Sequence, residues 1–274
     1  MHPFFSVFGL VFPAYGVMMM LGIGSAFTLV AILCRPSAKN RRGLDRMDTI
    51  LTCSIAILGM IIGGFALRPL MKLPEVIFRW GYFYQMPVGE FFGYIFGEFV
   101  FYGGLIGGAI ASFIFCRGYK VPVLTTFDAI SAAVPLGHAF GRVGCFLAGC
   151  CHGARVSRDS AFAVVYPATS LSAPSGVPLV AVPLIEAMAL VLISAIIVVI
   201  FMKTKIAGLC FGLYIMLYSV VRFILEFFRG DPGRGVYGIF STSQYISIAL
   251  FVLSAVLICI IICRRSRDLT ATQY

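Results

Sequence analysis

Seven stretches of this chain are each apolar for about twenty residues, and that repetition decides what the chain can fold into. They run at about 13–34, 49–70, 93–116, 124–147, 179–202, 206–228 and 239–263. A helix rises 1.5 Å per residue, so about 20 apolar residues cross the ~30 Å hydrocarbon core of a bilayer. The clearest stretch, LVAVPLIEAMALVLISAIIVVIFM, fills 179–202. With 60% hydrophobic and only 12% charged residues, and a mean hydropathy of +1.00, the chain has too little polar surface to fold in water. The expectation is an all-α polytopic membrane protein with seven transmembrane helices. Residues 1–274 are expected to make a single integral membrane domain, with no internal repeat and no cleaved leader expected.

The net charge of +10 does not make the chain a nucleic-acid binder. Its 21 Lys and Arg fall mostly in short clusters between apolar runs, with no basic domain of their own. Arg35, Lys39, Arg41, Arg42 and Arg46 follow the first run, and Arg117 and Lys120 follow the third. Lys203 and Lys205 follow the fifth, and Arg264, Arg265 and Arg267 follow the last. The excess of cations on one side assigns these loops to the cytoplasm, the N-terminus to the outside and the C-terminus to the cytoplasm. Two long connections, about 71–92 and 148–178, then lie outside. The first, with FRWGYFYQMP, reads as an aromatic and cationic arm in the interface; the second, with PATSLSAPSGVP, reads as a small head.

Charges within the apolar runs point to function. Arg222, Glu226 and Arg229 are spaced i, i+4, i+7 and share a helical face. A charge at the bilayer centre costs about 2.5–3.5 kcal/mol, so each needs a partner, a polar cavity or the interface. Glu226 can pair with one arginine, as a structural ion pair, and a surplus guanidinium suits phosphate. Arg142 lies in the fourth run with His138 one turn earlier and Asp128 further up the same rough stripe. Gly137, Gly141 and Gly144 leave backbone open to a ligand or a neighbouring helix. Two arginine-bearing helices suggest one shared phosphate site, and a phospholipid headgroup is the phosphate expected in a membrane. In the third run, overlapping G-x-x-x-G pairs (Gly103/Gly107 and Gly104/Gly108) read as a groove or as helix packing, with Tyr102 as a site residue or an interface anchor.

Nine cysteines leave several readings open. Cys145, Cys150, Cys151 and His152 offer metal-type ligands, but C-x4-C-C-H lacks the usual C-x2-C knuckle, so no metal is expected. A Cys145–Cys150 disulfide, reactive thiols and compact filling around Arg142 are the alternatives, and filling is the reading preferred.

Four motifs together resemble a known family: YG at 15–16, FYGGLIGG at 101–108, GR-x-G-x-F-x-x-G at 141–149 and RFILEFFRGD at 222–231. Their order and spacing are similar to those of the bacterial prolipoprotein diacylglyceryl transferases, and the resemblance runs from the first apolar run to Ser243 and Gln244. It implies seven membrane helices in the bacterial cytoplasmic membrane and an active site toward the outer leaflet. It also implies transfer of the diacylglyceryl group of phosphatidylglycerol to the lipobox cysteine of a preprolipoprotein, with release of glycerol 1-phosphate and no cofactor. Arg142 and Arg222 are then the essential arginines. Tyr15, Gly103, Gly104, Gly141, Gly149, Glu226 and Arg229 support the lipid. The chain departs from the family pattern at Tyr102, where a histidine is usual, and at Cys145, Ala148 and Cys150. Tyr102 is a poor base for a thiol, which makes His138, or the arginine field alone, the candidate for thiol activation. A phospholipid-dependent transferase with another acceptor, and a lipid-binding or transport protein, are the rival readings.

Overall fold

The computed structural model describes residues 3–7, 9–35, 42–230 and 235–271. A short hairpin, β1 (Phe4–Val7) and β2 (Leu10–Pro13), leads into α1 (Ala14–Leu33). Then follow α2 (Arg46–Phe78), α3 (Trp80–Phe83), α4 (Val88–Phe96), α5 (Phe101–Gly118) and α6 (Val123–Ala148). Strands β3 (Ala163–Val165) and β4 (Pro178–Val180) pair antiparallel before α7 (Val182–Lys203) and α8 (Leu209–Glu226). A second small hairpin, β5 (Val236–Tyr237) and β6 (Phe240–Ser241), precedes α9 (Thr242–Ala271). Among the described residues, seven helices are long and apolar enough to span a membrane: α1, α2, α5, α6, α7, α8 and α9. The chain is a multi-pass, all-α membrane protein. Large side chains such as Met20, Leu70, Leu192 and Leu253 stand exposed on these helices, as lipid-facing residues do.

Two compact units divide the chain: Leu44–Thr126, and Met1–Gly43 with Phe127–Tyr274. In the first, Asp45 caps α2 by accepting from the N–H groups of Met47 (2.7 Å) and Asp48 (3.0 Å). The helix then runs through Pro69 and Pro74 as far as Phe78, well beyond the expected end at residue 70. The residues read as an interfacial arm are thus helical, in α2, α3 and α4. The third span starts later than expected because α4 closes at Gly97, next to the ion pair of Arg68 with Glu98. Helices α2 and α5 cross backbone to backbone. A Cβ on Gly107 would lie 2.3 Å from the Gly59 carbonyl oxygen, and one on Gly103 would lie 2.4 Å from that of Gly63.

The larger unit is held by polar contacts at both ends of its helices. At one end, buried Asp128 of α6 pairs with Arg42 and accepts from the N–H groups of Gly208 (2.9 Å) and Phe211 (2.8 Å), where α8 begins. Arg42 also stacks on Phe201 at 4.3 Å. At the start of α9, Ser241 and Gln244 form a reciprocal capping box: Gln244 Oε1 accepts from the Ser241 N–H, and Ser241 Oγ from the Gln244 N–H. Between α6 and α7 the segment 149–181 folds into a small head. Tyr166, Ala173 and Leu179 bury together there, against Phe146 of α6.

Candidate active site

The site is built from the last turns of α6. His138, Arg142 and Cys145 follow one another at i, i+4, i+7 and form a polar stripe along the second half of the helix. The stripe ends in a Schellman turn, with Gly149 left-handed at φ +70° and the Cys150 N–H bonded back to the Cys145 carbonyl at 3.0 Å. Cys151 is also left-handed, at φ 56°. These two reversals fold Cys150 and Cys151 back over the helix end, and the sulfurs of Cys145, Cys150 and Cys151 all lie within 4.8 Å of one another. No disulfide joins them. The Cys150 sulfhydryl points to the Cys145 carbonyl oxygen at 3.6 Å, and the neighbouring sulfhydryls of Cys145 and Cys150, with Arg142 and Arg229 nearby, hold the Cys151 thiol below its usual range.

Arg142 is paired. Its Nη2 lies 3.0 Å from Glu186 Oε1 of α7, and Tyr218 of α8 donates to the same oxygen at 2.9 Å. Arg222 pairs one turn along its own helix, Nη2 to Glu226 Oε2 at 2.8 Å. Each guanidinium therefore has its own carboxylate, an arrangement the sequence reading did not give Arg142. Each still keeps one buried N–H, Nε of Arg142 and Nη1 of Arg222, without a hydrogen-bond partner among the described residues. An unpaired buried donor costs about 1–3 kcal/mol, a cost that an anion accepting from it would offset. Both arginines lie within electrostatic range of His138 and Tyr218. The His138 ring packs edge-on against Tyr218, with centroids 5.3 Å apart.

Around this core the other expected residues take definite places. Tyr15 packs on Gly144 and lies within electrostatic reach of Arg142 and the three cysteines. Arg229 forms an antiparallel bridge with Gly153, and the Gly230 N–H bonds to the His152 carbonyl at 3.2 Å, joining the end of α8 to the head. His152 is buried, with Nδ1 3.0 Å from the Gly153 carbonyl oxygen, and stays outside the sulfur cluster. Tyr166 sits beside the cysteines; burial pushes its phenol up to about 12, and its hydroxyl is without a partner among the described residues. An apolar cavity of about 570 Å³ runs between α6, α7 and the head. Ala139, Val143, Ile185 and Met188 line it on the helices and Phe162 and Val164 on the head, and Val143 and Ile185 are the chain neighbours of Arg142 and Glu186.

Several assignments move. At Gly103 and Gly104, read as a groove or as helix packing, the contacts are those of packing: Gly103 abuts the Gly63 backbone, and Gly104 abuts Phe99 and Met60. These glycines serve helix packing, and the apolar cavity lies beside α6 and α7 instead. Gly141 faces Met19 of α1, and a Cβ on Gly149 would lie 2.5 Å from Ser170 Cβ, so both contact protein. Asp128 does not join Arg142, because fourteen residues of helix put it about 21 Å away, and it locks Arg42 there. Tyr102 opens α5 in the smaller unit, 43% exposed and packed edge-on against Phe101. Asp231, Lys39 and Arg41 lie outside the described residues.

A family model, prolipoprotein diacylglyceryl transferase, matches residues 3–260. The chain belongs to that family. It is a transferase with relatives along nearly its whole length. A phosphatidylglycerol–prolipoprotein diacylglyceryl transferase of Clostridium tetani is 32% identical over 249 residues, 91% of this chain and 93% of the relative. A second such enzyme, from Clostridium perfringens, is 34% identical and covers 90% of each chain. One from Chlorobaculum tepidum is 31% identical over 96% of this chain and 89% of its own. In this chain, Glu186, Tyr218 and Tyr166 neighbour the candidate site and escaped the sequence reading. Glu186 carried a usable signal, as the one charge in the middle of the fifth apolar run. Tyr218, one turn before Arg222, carried none, because tyrosines are ordinary in such helices.

Proposed function

We infer that this chain transfers the diacylglyceryl group of phosphatidylglycerol to the cysteine thiol of a prolipoprotein lipobox, in a bacterial cytoplasmic membrane with its site toward the outer leaflet. The observation that carries the mechanism is the pair of buried guanidinium N–H groups without partners, one from α6 and one from α8, beside an apolar cavity. The cavity takes acyl chain, and the phosphate meets Arg142 and Arg222. As the thiol sulfur attacks the glyceryl carbon, the carbon–oxygen bond breaks and negative charge gathers on the departing phosphate. Fixed guanidinium donors in a water-poor site stabilise that charge without reorganising. Glu186 and Glu226 hold the two forks in place, Tyr218 fixes Glu186, and Arg229 and Tyr15 border the site.

The test is purified protein with labelled phosphatidylglycerol and a lipobox peptide. Wild type lipidates the peptide and releases glycerol phosphate. Arg142→Lys and Arg222→Lys, which keep the charge but lose the planar fork, lower turnover by about 100-fold or more while the protein stays folded. Unchanged turnover in either variant removes that arginine from the phosphate site.

A further inference from the structure

The three cysteines at the end of α6 are absorbed neither by the phosphate site nor by packing. Their sulfurs come from one helical residue and two residues beyond a reversal, and the chain accepts a left-handed, non-glycine backbone at Cys151 to bring the third one in. Two sulfurs bound to one tetrahedral zinc, at about 2.3 Å each, stand about 3.8 Å apart. Sulfurs all within 4.8 Å of one another need only small rotamer shifts to reach that spacing. Among the described residues no histidine or carboxylate joins them, and His152 is turned to the Gly153 carbonyl. The set is therefore three soft ligands with one position open, the form a reactive rather than a purely structural zinc takes.

Its surroundings suit an anionic metal centre. Three thiolates on Zn²⁺ leave one negative charge, and a fourth would leave two. Arg142 and Arg229 are both within electrostatic reach of Cys151. The Tyr166 hydroxyl, buried beside the cluster and without a partner among the described residues, is a donor available to a bound sulfur. The reaction supplies the reason for a fourth sulfur. A free thiol has an unperturbed pKa of about 8.5, so only a few per cent is thiolate near neutrality. A zinc ion with an open position converts a thiol into a bound thiolate.

We propose that Cys145, Cys150 and Cys151 hold a zinc ion whose open position takes the acceptor cysteine thiol and presents it as a thiolate to the diacylglyceryl carbon. The inference rests on the transferase reading above. On binding, the acceptor S–H bond breaks and its proton passes to solvent. The sulfur lone pair then forms the new carbon–sulfur bond, the carbon–oxygen bond to phosphate breaks, and its electron pair leaves on the glycerol phosphate, whose oxygen takes up a proton from solvent. No oxidant or reductant is consumed, and the zinc is returned with its position open.

The experiment uses the full-length protein in detergent. Zinc content is measured after purification without chelators, and metal-stripped protein is titrated with Co²⁺. One equivalent of cobalt is expected, with intense thiolate-to-cobalt absorption and tetrahedral visible bands. A lipobox peptide shifts those bands, and the same peptide with serine in place of its cysteine leaves them unchanged. Stripping zinc lowers peptide lipidation by roughly tenfold or more, and added zinc restores it. Cys145→Ala/Cys150→Ala/Cys151→Ala loses the cobalt spectrum, and retention of one tetrahedral equivalent there overturns the site. A wild type that takes up no stoichiometric cobalt, or whose cobalt bands ignore the cysteine peptide, also overturns the proposal. Lipidation that persists at full rate in stripped protein does the same and leaves the transferase reading standing. If instead metal and cysteine peptide bind as expected but phosphatidylglycerol donates nothing, it is the transferase reading that fails.

Discussion

Glu186 receives two contacts on one oxygen, from Arg142 and from Tyr218, and it is almost completely buried. Glu186→Gln keeps an acceptor for Tyr218 but removes the charge that aligns Arg142. The expected result is a fall in lipidation of about tenfold or more with the fold retained. Glu186→Ala leaves a buried guanidinium uncompensated and destabilises by about 3–5 kcal/mol, seen as a lower unfolding midpoint in detergent. Wild-type rates in Glu186→Gln would show that Arg142 is positioned without it. At this scale Arg142 and Arg222 were legible in the sequence, because a guanidinium in an apolar run demands a reason. What each one touches was not, since an ion pair between α6 and α7 depends on how the helices cross. Glycine spacing left groove and packing both open for a related reason: it announces that something approaches closely but not what. At Gly103 and Gly104 the approaching group is α2.

The crossing of α2 and α5 is where that spacing has its effect. Gly107→Val forces side-chain atoms into a space where even a Cβ would lie 2.3 Å from the Gly59 carbonyl oxygen. Backbone cannot yield as a side chain does, so the helices separate, at a cost of about 1–3 kcal/mol or more. Thermal unfolding reads it, with Gly118→Ala as control, since a Cβ there meets nothing within 4 Å. An unfolding midpoint equal to wild type in Gly107→Val would contradict the packing. All seven spanning elements could be read from hydropathy, because burial in lipid is a property of composition. Their ends could not: α2 passes two prolines, and the three antiparallel strand pairs among the described residues rest on pairings that no periodicity of two to four residues reveals.

For the whole molecule, sidedness follows from the cations in the loops. We propose that the connection after α7, with Lys203 and Lys205, faces the cytoplasm and that the head between α6 and α7 faces outward. A periplasm-dependent phosphatase fused after Ser160 is expected to be active, and the same fusion after Thr204 inactive; the reverse pattern would invert the topology. Arg42, one of the counted cations, is buried against Asp128, so loop charge in the folded protein is less than the sequence count. That pair also closes the end of the larger unit far from the thiols.

The turn at Gly149 has a consequence for control. The same reversal that gathers the sulfurs also seats the head, because the Leu171 N–H bonds to the Ala148 carbonyl and the Ala173 N–H to that of Gly149. Head and sulfurs thus hang from one torsion. A protein that tugged the head off the helix end would scatter the thiols in the same motion, so whatever grips that lobe holds a brake on the reaction.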